Sequence, residues 1–155
     1  MIRVPSSFNG AFISRHFFPE YLKYDNLKGI NSGKCYDWAY FAYRMFADIQ
    51  LWTTDFHAWV RYGRKYHDSE TGKFGVLNFM ELGCNRRNAY PVPWEKHAPV
   101  QMTVEEFKKF WNGHGSGHRR HWDRLLEPQL KTVLGKRYKE TTPIFQPPIK
   151  ATVVP

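Results

Sequence analysis

The dipeptide Gly63-Arg64 constrains the fold most, because it lies between two segments that both have the character of β-strands. In the segment FHAWVRY (56–62), apolar and aromatic side chains alternate along the chain, which is typical of a strand with one buried face. A two-residue connection with glycine first favours a tight antiparallel hairpin, in which Tyr62 pairs with Lys65. The sequence therefore predicts a hairpin over 56–70.

The length of this turn decides which polar side chains meet. With a two-residue turn, Trp59 is expected to pair with Asp68 and His57 with Glu70, so His57 and Asp68 become diagonal neighbours on one face. A three-residue loop would shift the register by one residue and move Asp68 to the opposite face. The proximity of His57 and Asp68 is thus a prediction about register.

The segment before the hairpin predicts an amphipathic helix over CYDWAYFAYRMFADI (35–49). Its apolar residues follow the spacing of one buried helix face: Trp38, Phe41, Ala42, Met45, Phe46 and Ile49. Ser32 or Gly33 is the expected cap. Cys35 is then expected in the first turn, where free backbone N–H groups and the helix dipole favour a thiolate.

Cys35, His57 and Asp68 together have the residue types of a cysteine-nucleophile site. A thiolate attacks a carbonyl, an imidazole moves the proton, and a carboxylate orients the imidazole. Each residue alone is more often structural: a buried small thiol, a strand histidine with a polar contact, or an aspartate that binds backbone at a turn. Glu70 is an alternative acid, because it lies opposite His57 in the same register.

The segments SGKCYDWAYFAYRMF, FHAWVRY and RKYHDSE resemble the transglutaminase-like branch of the papain-fold cysteine enzymes, over residues 30–80. The resemblance implies that Cys35 is the nucleophile, His57 the base and Asp68 the orienting acid. Asp37 and Ala39 match helix positions commonly seen in the family. Trp59 matches the aromatic residue that follows the histidine and is expected to line the site.

The same resemblance implies an α+β, papain-like or transglutaminase-like domain, with an N-terminal helix bearing Cys35 packed on a small antiparallel sheet. The implied activity is acyl transfer on a protein or peptide amide, of peptidase, amidase or deamidase type, without a cofactor. Hydrolysis is favoured over cross-linking, since water is the default acceptor. Asn31, with the backbone N–H of Cys35, is the candidate oxyanion donor.

The remaining segments suggest one domain over residues 1–140 and an extended proline-rich tail over 141–155 that is free to contact a partner. Pro19 is expected at the start of a short helix. Residues 73–82 have the pattern of a further strand, Thr103 and Glu106 form a capping box, and a short helix is expected around 123–134.

The composition adds an alternative function from a different class. The formal charge is +9, with 23 Lys and Arg against 14 Asp and Glu, which favours encounter with acidic proteins or nucleic acid. An inactive papain-like scaffold that serves as a basic interaction or assembly protein is therefore the competing hypothesis. No apolar run approaches the about 18 residues of a membrane span, and no signal peptide is evident, so a reducing, cytoplasmic compartment is expected. A viral origin or export by another route stays open.

Two further groups of residues are expected to be structural. His114, His118 and His121 have a spacing that could ligate a metal on a helix, but the glycines between them favour a loop, so no metal site is predicted. Cys84 lacks a helix start or a neighbouring base and is expected to be an inert thiol.

Overall fold

The computed structural model describes residues 3–54, 57–71, 74–82, 100–113 and 125–138, which form a mixed α+β fold. A four-stranded antiparallel sheet has the order β3-β2-β1-β4. Its strands are β1 (Ile49–Thr53), β2 (Ala58–Tyr62), β3 (Lys65–His67) and β4 (Val100–Met102). The helices are α1 (Gly10–Phe17), α2 (Pro19–Lys23), α3 (Leu27–Asn31), α4 (Cys35–Met45), α5 (Val104–Gly113) and α6 (Glu127–Leu134).

The predicted hairpin register is confirmed. Tyr62 pairs with Lys65, and Val60 pairs with His67. Gly63 has a φ of 59°, which a glycine adopts without the steric penalty that other residues meet. Arg64 is not in the left-handed region, as expected for a turn of the glycine-first type. The ladder ends at the Val60–His67 pair, so the expected pairs Trp59–Asp68 and His57–Glu70 are not part of it, and Asp68 directly follows β3.

Helix α4 begins at Cys35, as predicted, but ends at Met45, four residues before the predicted end at 49. Phe46 is already extended, with ψ of 146°. The chain then leads into β1, which begins at Ile49 and which the helical spacing of the sequence did not predict. The expected cap is also wrong, since the N-cap is Lys34 and makes no side-chain cap bond. The Ser32 hydroxyl donates to the Lys28 carbonyl and so belongs to the end of α3.

The main core lies between α4 and one face of the sheet. Leu51, Ala58 and Val60 point from β1 and β2 into the cluster that α4 fills with buried aromatic and small side chains. The same cluster includes apolar residues of α1 and α6, so the cysteine-bearing helix is central to the fold. It is the fourth helix of the chain and not an N-terminal one.

The other expected helix starts are confirmed. Pro19 is the first residue of α2. At α5, the Glu106 N–H donates to the Thr103 hydroxyl at 3.0 Å, and the Thr103 N–H reaches back to the Glu106 carboxylate at 3.4 Å. These two bonds make the reciprocal capping box that the sequence predicts.

The predicted strand over 73–82 is wrong in its described part, residues 74–82. Only Val76 forms a β-bridge, to Tyr66, and Phe79–Glu81 is a 3-10 helix. Gly75 has a φ of 67° and lies against the His67 ring, where a Cβ atom would come within 2.6 Å of Cε1. A φ of 67° is outside the range of a β-strand, so the chain is not a continuous strand at Gly75.

Several predicted features lie outside the described residues, namely the tail over 141–155, the three histidines of the 114–121 segment, and Cys84. Within the described residues, no helix has the length and apolar character needed to cross a membrane.

Candidate active site

His57 and Asp68 form a buried hydrogen-bonded pair at the end of the β2-β3 hairpin. The ring Nε2 lies 3.1 Å from the Asp68 Oδ2. The two side chains are 2% and 1% exposed. Two residues predicted to be diagonal neighbours are thus in direct side-chain contact, with almost no access to water.

The Asp68 carboxylate is held on both oxygens. Its Oδ1 accepts from the Glu70 backbone N–H at 2.9 Å, while Oδ2 accepts from the Asn31 side-chain amide at 3.0 Å as well as from the histidine. Burial alone would raise the pKa of this carboxyl, but the bonds to His57, to the Glu70 backbone and to Asn31, with the attraction of His57, lower it overall. Asp68 is therefore an anion, with its orientation fixed.

The charge of Asp68 determines the protonation of His57. An ionised carboxylate can only accept a hydrogen bond, so Nε2 of the imidazole must carry the proton and donate it. In the neutral ring, the lone pair is consequently on Nδ1. This tautomer makes Nδ1 the nitrogen at which a proton can be received.

The backbone of His57 is anchored to the end of β1. Its carbonyl accepts from the Thr54 N–H at 2.9 Å and from the Thr53 hydroxyl at 3.0 Å. Thr53 pairs with Ala58 in the sheet, so the residue before β2 is fixed by both strands. His57 thus lies directly before β2, with its carbonyl bonded to the last residues of β1.

Cys35 is a free cysteine, 5% exposed, at the first residue of α4. Residues before and after this position in the chain form hydrogen bonds that lead to the His57–Asp68 pair. Four residues before it, Asn31 bonds Asp68. One residue after it, the Tyr36 hydroxyl donates to the Thr54 carbonyl at 3.3 Å, and Thr54 in turn bonds the His57 backbone. The residues on either side of this helix start are therefore linked, through Asp68 and through Thr54, to the side chain or backbone of the pair.

The acid that binds His57 is Asp68, while Glu70, the predicted alternative, contacts the Asn31 amide at 2.7 Å. The predicted oxyanion role of Asn31 finds no support in its contacts. Its amide nitrogen has two hydrogens, and it bonds one carboxylate oxygen of Asp68 and one of Glu70. Both hydrogens are directed at carboxylates of the protein itself, whereas an oxyanion donor needs one directed at the substrate.

Trp59 lies behind the histidine and not on an open surface. It is fully buried, its ring centre is 5.7 Å from that of His57, and it stacks on Phe79 with an interplanar angle of 11°. Trp52, Tyr66, Phe79 and Leu82 complete this second apolar cluster on the face of the sheet away from α4. The predicted site-lining residue therefore shields the pair from solvent on one side.

Sequence reasoning missed the hydrogen bonds that shape the turn after Asp68. Asp68 begins a tight turn in which the Thr71 hydroxyl accepts from the Asp68 N–H at 3.2 Å and donates to its carbonyl at 3.0 Å. The Ser69 hydroxyl donates to the Leu27 carbonyl at 3.0 Å, which joins the turn to α3. The run Asp-Ser-Glu-Thr (68–71) was a signal for such a side-chain-closed turn.

The described residues contain no group of three or more His, Cys, Asp and Glu side chains that could hold a metal ion. What the arrangement offers is proton transfer: an oriented imidazole, a fixed carboxylate and a thiol at a neighbouring helix start. Comparisons of the chain with protein-family models, curated proteins and solved structures found no match.

Proposed function

We propose that this protein is a cysteine-nucleophile enzyme of the transglutaminase-like, papain-fold type that transfers the acyl group of an amide. The observation that carries the proposal is the buried bond between His57 Nε2 and Asp68 Oδ2, at 3.1 Å. A histidine held by a carboxylate in this way is oriented for proton transfer through its other nitrogen. Cys35 supplies the nucleophile.

The reaction follows from the tautomer. Nδ1 of neutral His57 takes the proton of the Cys35 thiol, and the resulting imidazolium is stabilised by the Asp68 anion. The thiolate attacks the amide carbonyl carbon and forms a C–S bond. When the C–N bond breaks, the imidazolium returns its proton to the departing amine, which leaves a thioester on Cys35.

Water completes the cycle. His57 Nδ1 accepts a proton from the water as the oxygen attacks the thioester. The C–S bond then breaks, the imidazolium returns this proton to the sulfur, and a carboxylic acid leaves while the thiol and neutral His57 are restored. The first N–H groups of a helix have no intrahelical acceptor, so the backbone N–H at the start of α4 is a suitable donor to the oxyanion. Hydrolysis of a protein or peptide amide is the proposed outcome.

The location of Cys35 supports the nucleophile role. It occupies the first position of an 11-residue helix, where the dipole and the free N–H groups stabilise negative charge on sulfur. The hydrogen bonds of Asn31 to Asp68 and of Tyr36 to the Thr54 carbonyl support a position of this helix start near the pair.

Iodoacetamide alkylation tests the proposal without knowledge of the substrate. Trypsin releases Cys35 in the peptide that spans 35–44, so mass spectrometry can follow its alkylation separately from that of Cys84. At pH 6 we expect Cys35 to react faster than N-acetylcysteine, because an imidazolium stabilises its thiolate. His57→Ala should remove this excess. Equal alkylation rates of Cys35 in the unaltered protein and in His57→Ala would contradict the proposal and favour the inactive scaffold.

A panel of fluorogenic peptide, glutamine and isopeptide amides then identifies the substrate class. Turnover that disappears in Cys35→Ser, with an unchanged circular dichroism spectrum, is the expected result. Turnover that persists in Cys35→Ser would show that another group carries the reaction.

A further inference from the structure

The most informative contact beyond the triad is the double hydrogen bond of Asn31. This residue ends α3, is 2% exposed, and donates from the same nitrogen to Asp68 Oδ2 at 3.0 Å and to Glu70 Oε2 at 2.7 Å. Since both partners are carboxylate oxygens, only the nitrogen of the amide can face them. The rotamer of Asn31 is therefore dictated by two anions.

Asn31 binds the same oxygen of Asp68 that receives the histidine proton. Two donors that converge on one oxygen, with the Glu70 N–H on the other, leave the carboxylate little freedom to rotate. A carboxylate that rotates would lose its alignment with the imidazole. The amide of Asn31 thus acts on the orientation of Asp68 and, through it, on His57.

Glu70 closes the arrangement into a ring. Its backbone N–H bonds Asp68, its side chain bonds Asn31, and Asn31 bonds Asp68. The Glu70 carboxylate also keeps the Asn31 nitrogen turned toward Asp68, because an amide flip would bring its oxygen against two anions. The half-buried glutamate therefore orients the asparagine that orients the acid.

We infer that Asn31 is a positioning residue: its amide, oriented by Glu70, aligns Asp68 so that neutral His57 carries its proton on Nε2 only. This inference rests on the proposed catalytic role of His57 and Asp68, and it explains why an asparagine stands four residues before the nucleophile. When the alignment is lost, part of the neutral histidine carries the proton on Nδ1. In that tautomer the ring cannot accept the proton of the Cys35 thiol.

The experiment compares Asn31→Leu and Glu70→Ala with the unaltered chain and with Ser69→Ala. Ser69→Ala is the matched control, because it removes a different hydrogen bond between the same turn and α3, the one to the Leu27 carbonyl. Imidazole nitrogen shifts from NMR, assigned to His57 through the spectrum of His57→Gln, report the tautomer. Alkylation of Cys35 at pH 7 is measured in the same samples.

In Asn31→Leu we expect mixed tautomers of His57 and a fall in alkylation rate of about tenfold, the scale of one lost hydrogen bond to a charged group. Glu70→Ala should shift both quantities in the same direction by less, and it keeps the inference testable if Asn31→Leu does not fold. Ser69→Ala should change neither quantity.

The outcomes separate this inference from the proposed function. Mixed tautomers in Asn31→Leu or Glu70→Ala, together with a Cys35 that His57 never activates, would support the positioning role and overturn the enzymatic one. A single Nε2–H tautomer in both variants would overturn the positioning role, even if Cys35 stays reactive. An equal effect of Ser69→Ala would also overturn it, since any loosening of the turn would then suffice.

Discussion

Two polar clusters differ in how their charges are compensated: one lies near the C-terminal end of α4, and the other involves Asn31, four residues before the first residue of α4. Near the C-terminal end, Arg44 forms an ion pair with Glu127 of α6, and the hydroxyl groups of Tyr40 and Tyr138 donate to the same carboxylate at 2.9 and 2.6 Å. The Arg44 guanidinium also lies 5.6 and 5.7 Å from the centres of these two rings. The positive charge of Arg44 offsets the negative charge of Glu127, and the two tyrosine hydroxyl groups supply further hydrogen bonds to the carboxylate.

The second cluster, formed by His57, Asp68, Asn31 and Glu70, contains two carboxylates and one imidazole. Its charge balance depends on whether the histidine holds a second proton. The pKa of Arg44 is raised, because the favourable contacts with Tyr40 and Glu127 outweigh the opposing effect of burial, so that group never changes its charge. The first cluster joins α4 to α6 through groups of constant charge, whereas the second contains an imidazole, a group that can take up or release a proton near neutral pH.

Arg44→Met tests the Arg44–Glu127 cluster and should cause the largest loss of stability among these variants. It leaves Glu127 without its cation in a site where the carboxylate is 20% exposed, and removal of one partner of a buried ion pair costs about 3–5 kcal/mol. Urea unfolding should show this loss of stability. Arg44→Met combined with Glu127→Gln should recover part of it, and a double variant as unstable as the single one would show that the ion pair is not the cause.

A pH titration of stability tests a third buried group, His67. Burial, followed by the nearby Lys65, lowers the pKa of this histidine from 6.5 to about 4, against the opposing effect of Asp68. Between these pH values the unfolded chain binds a proton here and the folded chain does not, so acidification favours unfolding. At about 1.4 kcal/mol per pKa unit, stability should fall by about 3 kcal/mol from pH 6.5 to 4.

His67→Leu should flatten that slope and leave the fall at lower pH, where the Asp68 carboxylate, whose pKa is lowered, is protonated. The side chain packs edge-on against Phe8, with ring centres 4.7 Å apart, and against Gly75. A slope unchanged by His67→Leu would assign the acid sensitivity to other groups.

Asp68→Asn tests the cluster of His57, Asp68, Asn31 and Glu70 directly. The amide keeps the shape of the carboxylate but lacks the charge that stabilises imidazolium, so alkylation of Cys35 at pH 7 should fall about tenfold to hundredfold. The loss of stability should be smaller than that of Arg44→Met, about 2 kcal/mol or less. A variant that unfolds as readily as Arg44→Met yet keeps its thiol reactivity would reverse the assignment of the two clusters.

Gly63→Ala should have the smallest effect. A Cβ atom at this position meets no atom within 4 Å, so the only penalty is the positive φ of 59°, worth about 1 kcal/mol. Thiol reactivity should be retained, because the burial of Val60 and of His67 also holds the register. A large loss of reactivity would show that the turn alone keeps Asp68 beside His57.

The sequence predicted the part of the site that local rules control. The Gly-Arg turn sets the register, and alternation then puts His57 and Asp68 on one face; the start of α4 at Cys35 and the capping box of α5 are equally local. It failed where an apolar run has two interpretations. Ile49 continues the helical spacing, yet it begins β1, because the pairing with β2 outweighs helix propensity. The pattern over 73–82 is similarly ambiguous: Gly75 has a positive φ and residues 79–81 form a 3-10 helix, neither of which the alternation predicts.

The chain by itself determined the chemical types and their order: a thiol at a helix start, an imidazole before a strand, and an acid after a two-residue turn. Only the tertiary structure decided how these groups are held, since the contacts of Asn31 with Asp68 and Glu70 join residues 37 and 39 positions apart. No periodic pattern encodes such a contact. Its partners are selected by the packing of α3 against the hairpin, where a buried carboxylate must find donors.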